Sequence, residues 1–519
     1  MKIAASHEIF AIERKAEEAG VTGIILMEHA AAALRRHCLD VLESSNNRTV
    51  VVLAGRGNNG GDGAALARLL YMSGVNVTVI FPWDTGNDKV SCNLETQLNI
   101  LKNLPVRLVD IRCNDFIGEA RSILQPAGLI VDALFGVGLT RPAAGAYADL
   151  IEAANAAGKY MISVDIPSGV CADTGFIGGA AIRADKTVAF MYPKIGLMLY
   201  PGAEYAGEVV TEDIGITKIG ENFQFTAESL TPEAINALIP VRRKDSNKGN
   251  HGKVCVFAGC AEMPGAMYLS CAAAYRAGAG LVRACLVKQT ASFLHTMLPE
   301  AVTSILPDDG GCFCNESAQA AAGALSGANV VLMGPGIGRA AGVSGFVKHV
   351  LMNADCPVVL DADGLNAIAD APDILLKSKK PCVITPHPGE MGRLTGRSAA
   401  DVLSDTLGTA RAFSNKYNVI TVLKTARTVI ATPGESAYIN QTGNPALAKA
   451  GTGDALAGVI AGFMAQGLGA RTAAALGAYI HGEAGDAAAR DFGVHGVLAG
   501  DLLKYIPAVM KRYAGASNA

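Results

Sequence analysis

Short apolar runs rich in β-branched residues recur along the first part of the chain, at Val50 to Ala54, Val75 to Phe81, Leu129 to Ala133 and Tyr160 to Val164. Segments with helical spacing of apolar positions lie between them, over residues 8 to 42, Ala64 to Ser73 and Ala148 to Ala157. Strand, crossover helix and strand in succession predict a parallel sheet with helices on both faces. The rhythm fades across residues 212 to 253, where Pro, Asn, Gly and charged residues gather and Thr231 with Pro232 opens a short helix. A second series starts at Val254 and continues through Val330 to Met333, Val358 to Leu360, Val383 to Thr385 and Ile420 to Lys424. The two series share no repeated motif, so the chain reads as two different α/β domains joined near residue 225. Arg242 to Lys244, in the junction, reads as a solvated connector, with an anion patch as the alternative.

Length agrees with that division, because 519 residues exceed one ordinary core. The stretch Ala455 to Ala470 is apolar, but it is shorter than the ~18 to 20 residues of a membrane span and contains several glycines, so a buried helix packed on a sheet is expected. A formal net charge of −3 gives no footprint for nucleic acid or an anionic membrane. Charged residues fill the first twenty positions where a signal peptide needs an apolar core, and the 12 cysteines are dispersed without a disulfide or zinc pattern. A cytoplasmic protein with reduced thiols is expected.

In sheets of this type ligands bind beyond the carboxyl ends of the strands, and there the polar residues gather. Gly55, Gly57 and Gly60 fit the G-x-G-x-x-G spacing of a dinucleotide loop, yet the same loop carries Asn58, Asn59 and Asp62, where a pyrophosphate would want bare amides. Asn59, Asp132 and Ser168 follow three separate strands and are hard oxygen donors for one cation, with loop capping as the alternative. Asp165 ends a strand as a candidate acid, base or charge stabiliser. In the second half Gly451, Thr452 and Gly453 would expose amides at a helix start, with Asp454 in its first turn; this suits phosphoryl transfer with a carboxylate base, against a plain capped turn. Lys424 ends a strand as a point charge for phosphate, and His387 is a ligand-contact candidate. Asp361 and Asp363 would hold Mg2+ through water, or cap locally.

Two resemblances follow from these motifs. CAEMPGA at 260 to 266, GPGIG at 334 to 338, LDADGLN at 360 to 366, TPHPGE at 385 to 390 and NPALAKAGTGDALAG from Asn444 resemble the ADP- or ATP-dependent NAD(P)H-hydrate dehydratases, which are ribokinase-like. GRGNNGGDG, VDALFGVGLTRP, SVDIPSG and LMEHAA at 26 to 31 resemble the NAD(P)H-hydrate epimerases. The pair implies a Rossmann-like epimerase domain over residues 1 to 220 and a ribokinase-like dehydratase domain over 228 to 515. In the first, the resemblance implies hydrate contacts from Asn58, Asn59, Gly60, Gly61, Asp62, the segment Gly136, Val137, Gly138, Leu139, Thr140, Arg141 and Pro142, and Asp165, with potassium at Asn59, Asp132 and Ser168. In the second it implies hydrate contacts from Ala266, Gly338, His387 and Asp454, nucleotide contacts from Lys424, Thr425, Ala426, Arg427, Thr428 and Gly453, and charge stabilisation by the amides of Ala450 to Gly453. Asp165 and Asp454 would be catalytic. The implied partners are the small molecules NADHX and NADPHX and the co-substrate ADP, and a homo-oligomer is implied. The sequence departs from the family patterns at Arg56, His29 and Ala31, and at the stretch KTART from Lys424 to Thr428. A nicotinamide-dependent oxidoreductase and a non-catalytic coenzyme sensor are the alternative readings.

Overall fold

The structure, a computed structural model, describes residues 1 to 45 and 47 to 514. The expected last residue of the second domain, 515, lies outside the described residues. The chain divides into two compact units, residues 2 to 227 and, together with Met1, residues 228 to 519.

In the first unit seven strands form one parallel sheet: β1 (Thr49–Ala54), β2 (Asn76–Phe81), β3 (Arg107–Asp110), β4 (Leu129–Ala133), β5 (Met161–Val164), β6 (Lys186–Phe190) and β7 (Glu208–Glu212). Their order is β3-β2-β1-β4-β5-β6-β7, with Leu53 opposite Asp132 and Asp132 opposite Ser163. Every residue of β4 is buried, as expected for a central strand covered on both faces. One core cluster holds Val50, Val52 and Val131 with the helices Ser6–Glu18, Gly23–Glu43 and Asn58–Met72; the other holds Val51, Leu53 and Ile130 with Leu150 and Ile151. Alternation along β1 therefore feeds two cores, although the strand itself is uniformly apolar. The helix expected over residues 8 to 42 is two, parted by Gly20 in a left-handed conformation. The helix expected from Ala64 begins at Asn58, so the glycine-rich loop forms its first two turns.

The second unit is built on β8 (Lys253–Phe257), β9 (Leu281–Leu286), β10 (Val302–Ile305), β11 (Val330–Met333), β12 (Val358–Leu360), β13 (Cys382–Ile384), β14 (Ile420–Leu423), β15 (Val429–Ala431) and β16 (Ala437–Ile439). Their order is β16-β15-β14-β13-β12-β11-β8-β9-β10, parallel except at the antiparallel pairs β14–β15 and β15–β16. The apolar stretch at 455 to 470 is helix only as far as Ala465, within the helix Thr452–Ala465, and a new helix starts at Ala470. Its nearest neighbour is another helix, Pro264–Arg276, and its glycines make that approach possible: a Cβ on Gly458 would stand 2.4 Å from the Ser270 carbonyl, and one on Gly462 2.6 Å from that of Ala274. Among the described residues no helix is long and apolar enough to cross a membrane.

Candidate functional site

In the first unit a cavity of about 740 Å3 opens at the carboxyl ends of the strands. Its wall includes Asn58, Asn59, Asp62, Asp165 and the whole run Gly136, Val137, Gly138, Leu139, Thr140, Arg141 and Pro142. Gly60 and Gly61 stand behind it, where a Cβ would lie 2.0 Å from the Gly55 carbonyl and 2.2 Å from the end of Met27 respectively. They let the helix Asn58–Met72 start close against the loop at Gly55 and the helix Gly23–Glu43.

Asp132 is fully buried at the end of β4. Its carboxylate accepts bonds from the Ser168 hydroxyl at 2.6 Å, the Ser168 amide at 2.8 Å, the Ser163 hydroxyl at 2.8 Å and the Leu134 amide at 3.3 Å. Burial pushes its pKa up against the pull of these bonds, the net shift is upward, and no ion pair among the described residues includes it. Nearby, the side-chain nitrogen of Asn59 is buried without a partner, and the Asn59 carboxamide packs 3.4 Å from where a Cβ of Gly136 would stand. A buried carboxylate with no ion pair among the described residues, beside the Ser163 and Ser168 hydroxyl oxygens, fits a hard cation of low charge, which Asn59 would meet through Oδ1 and not through its orphaned nitrogen.

Asp165 has a left-handed backbone, φ 67°, which a non-glycine residue adopts at a cost. That turn brings its carboxylate under the fully buried Lys194, whose Nζ donates to Asp165 Oδ1 and, at 3.0 Å, to the Phe190 carbonyl. The Phe190 amide also donates to Asp165 Oδ1, at 3.0 Å. Sequence reasoning missed Lys194 and also Glu13, which faces the same cavity from the helix Ser6–Glu18. Lysine inside the otherwise apolar run after β6, in MYPKIGLMLY, was the available signal.

In the second unit the strand ends carry a charged cluster. Asp361, 1% exposed after β12, accepts from the Thr385 hydroxyl and from Lys424 Nζ, both at 2.7 Å and both on Oδ1. Its Oδ2 is buried without a partner. A Cβ on Gly453 would stand 3.9 Å from that oxygen and 3.2 Å from Lys424 Nζ, so the glycine keeps a cradle open between them. Gly451, at φ 89°, turns the chain into the helix Thr452–Ala465, and His481 Nε2 lies 2.9 Å from the Thr452 carbonyl to hold that first turn. Asp454 titrates at about 7: burial raises it first, then Asp361, against the pull of Lys424. In Lys424 burial is outweighed by Asp361, Glu390 and Asp454, and the net pKa is raised.

The remaining residues surround this cluster. Asp363 is spent locally, accepting from the Gly338 amide at 3.1 Å, Asn366 at 3.2 Å and Arg339 at 3.3 Å. Gly338 is left-handed and abuts Cys312 and Cys260, and Ala266 packs against Gly336. His387 caps the helix Pro388–Thr395: its Nδ1 accepts from the Gly389 amide at 3.0 Å and the Glu390 amide at 3.3 Å, which requires the unprotonated nitrogen there. Thr425, Ala426, Arg427 and Thr428 form the turn between β14 and β15, closed by a 2.7 Å bond from the Thr425 hydroxyl to the Arg427 carbonyl. The guanidinium of Arg427 donates to the Gln441 carbonyl.

Comparison with known proteins connects both sites to relatives. A family model described as NAD(P)H-hydrate dehydratase matches residues 254 to 508, and one described as YjeF-related protein N-terminus matches residues 23 to 196. The bifunctional NAD(P)H-hydrate repair enzyme Nnr of Moorella thermoacetica is 38% identical over 95% of this chain and 93% of its own. The enzyme of the same name from Escherichia coli K12 is 33% identical over 96% and 92%. A crystal structure of a ribokinase-like superfamily protein from Enterococcus faecalis V583 superposes with a TM-score of 0.50 and 29% identity, covering 57% of this chain and 99% of that one.

Proposed function

Because the chain belongs to the family of bifunctional NAD(P)H-hydrate repair enzymes, we propose that its two sites carry out successive steps on one damaged coenzyme. Water added across the 5,6 double bond of the reduced nicotinamide leaves a hydroxyl on C6 beside the ring nitrogen. The first unit interconverts the R and S epimers at that carbon, and the second dehydrates the S epimer of NADHX or NADPHX at the expense of ADP, giving AMP and phosphate.

Epimerisation passes through a ring that carries positive charge or a ring that has opened. Asp165, fixed by Lys194 and Phe190, presents a preorganised negative charge to the cavity. The run Gly136 to Pro142 and the residues Asn58, Asn59 and Asp62 form the wall against which the hydrate would lie. Asn59, Asp132 and Ser168 would hold potassium, which supplies the counter-charge that Asp132 lacks and fixes the loops on either side.

Dehydration faces a poor leaving group. Transfer of phosphate to the C6 hydroxyl followed by its elimination removes that difficulty, and the second unit has the groups for it. The observation that carries this reading is Asp454, an acid titrating at about 7 at a helix start, beside a buried lysine and an open glycine cradle. Asp454 takes the hydroxyl proton, the amides of Ala450 to Gly453 and Lys424 meet the transferred charge, and Ala266, Gly338 and His387 contact the hydrate. Lys424 to Thr428 and Gly453 contact the nucleotide. The orphaned Oδ2 of Asp361 fits Mg2+ with the phosphates and water as its other ligands; bound there, the ion would neutralise phosphate charge. The test is stoichiometry: purified S hydrate with ADP should yield one AMP and one phosphate per reduced coenzyme recovered, and recovery without nucleotide consumption would refute the scheme.

A further inference from the structure

We propose that Glu13 is the proton-carrying acid–base group of the first unit, passing a proton to and from the C6 oxygen of the hydrate. This inference rests on the epimerase reading given above. Asp165 is committed to Lys194 and the Phe190 amide, so it acts through fixed charge, and protonation of a departing hydroxyl falls to another group. Three carboxyls line the cavity without such a commitment; Glu17 is exposed to solvent, which leaves Glu13 and Asp62. Glu13 lies on the face of the helix Ser6–Glu18 that turns Ile9, Phe10 and Glu17 to the same space, and Asp62 lies in the second turn of the helix Asn58–Met72. Neither accepts a hydrogen bond or joins an ion pair among the described residues, while both feel the field of Asp165.

The charges facing the pair settle its state. Burial raises Glu13 to about 7, with Asp165 and Glu17 adding to the rise and Lys194 opposing it. Burial, then Asp165 and Glu13, hold Asp62 well above the usual carboxylate range. Arg56, Arg141 and Tyr147 complete the charged and titratable groups of the wall. Burial and the neighbouring carboxylates favour the protonated form of both carboxyls, and Glu13, at about 7, is the one that exchanges a proton near neutrality. In the forward step the Glu13 carboxyl gives its proton to the C6 hydroxyl, the C6–O bond breaks with its electron pair leaving in water, and the ring nitrogen's lone pair closes an iminium to C6. Water then adds to the other face of C6 and its proton returns to the carboxylate, so no proton or electron is gained or lost.

The test uses the full chain with K+ and no nucleotide, starting from pure S hydrate and following appearance of the R epimer by chromatography across pH. Glu13→Gln should slow exchange at least ~100-fold, to the spontaneous rate, and lose the limb of the pH profile near neutrality, while Glu13→Asp keeps that limb. With ADP added, the same Glu13→Gln chain should dehydrate S hydrate at the wild-type rate, which reports an intact second unit, and calorimetry should show the first unit's unfolding transition retained, which reports that the mutated unit is folded. Exchange by Glu13→Gln with the wild-type pH profile would overturn the proposal, as would a slowed rate whose profile is unchanged in shape. If Glu13→Gln also loses dehydration, the Glu13→Asp profile decides: a retained limb supports the proposal and a flat one overturns it. Absence of exchange in the wild type would instead overturn the epimerase reading, and this inference with it.

Discussion

Replacing Asp454 with Asn should make the second unit more stable and catalytically inert. Asp454 titrates at about 7 in the folded protein, against an ordinary 3.8. A gap of that size means that holding the carboxylate ionised costs about 4 kcal/mol of folding stability in the absence of metal and nucleotide. Since the folded value is raised, that stability is fully present below about pH 4 and is lost as the pH rises through about 7. Asn is neutral at every pH and loses nothing. From about pH 5 to about pH 8.5 the advantage of Asp454→Asn over the wild type should therefore grow by about 3 kcal/mol. At roughly 2 °C per kcal/mol for a large domain, that is a relative rise of about 6 °C. Calorimetry of the full chain in EDTA without nucleotide measures it; the second unit's transition is the one that ADP with Mg2+ moves in a separate run. Dehydration of S hydrate should fall by about 10²- to 10⁴-fold in the same variant. A stability difference that does not change with pH would refute the assignment of a strained, half-buried acid, and an active variant would refute its role as base.

Two further outcomes follow from the buried charges. Exchange of potassium for tetramethylammonium should slow R-to-S interconversion and leave dehydration of S hydrate unchanged, and Asp132→Asn should abolish the difference between the two cations; an equal response in the wild type and the variant would remove Asp132 from the cation site. Lys424→Met leaves the Asp361 carboxylate buried without its ion pair, so the second unit's transition should fall by an amount equivalent to about 3 to 5 kcal/mol with the first unit's unchanged. Adding Asp361→Asn should return much of that loss, and strictly additive losses would show that the two side chains do not interact.

The positions of these strands and the residues at their ends were legible in the sequence because β1, β4, β5, β8 and β11 to β14 are central and mostly apolar. Strands with polar or alternating residues were not: β3 (RLVD) and β7 (EVVTE) lie at the sheet edges, and their half-exposed patterns do not stand out from loops. Asn59, Asp132 and Ser168 could be grouped because each stands at the end of a recognisable strand, and those strands, β1, β4 and β5, are neighbours in the sheet. Lys194 and Glu13 could not. Lys194 reaches Asp165 across 29 residues only because Asp165 takes up a left-handed turn, and Glu13 sits on an ordinary charged helix whose orientation is set by packing rather than by its own pattern. Asp363 shows the converse: its spacing from Asp361 suits a metal pair, yet its oxygens are taken by Gly338, Asn366 and Arg339.

The most direct test of two sequential sites in one chain supplies a mixture of R and S hydrate with ADP, Mg2+ and K+ and follows recovery of reduced coenzyme together with the epimer ratio. The wild type should convert both epimers completely. Asp165→Ala should convert the S portion and leave R to its spontaneous rate, and Asp454→Asn should recover no coenzyme while continuing to interconvert the epimers. Loss of both activities in either well-folded variant, or complete conversion by Asp165→Ala at the wild-type rate, would contradict the account.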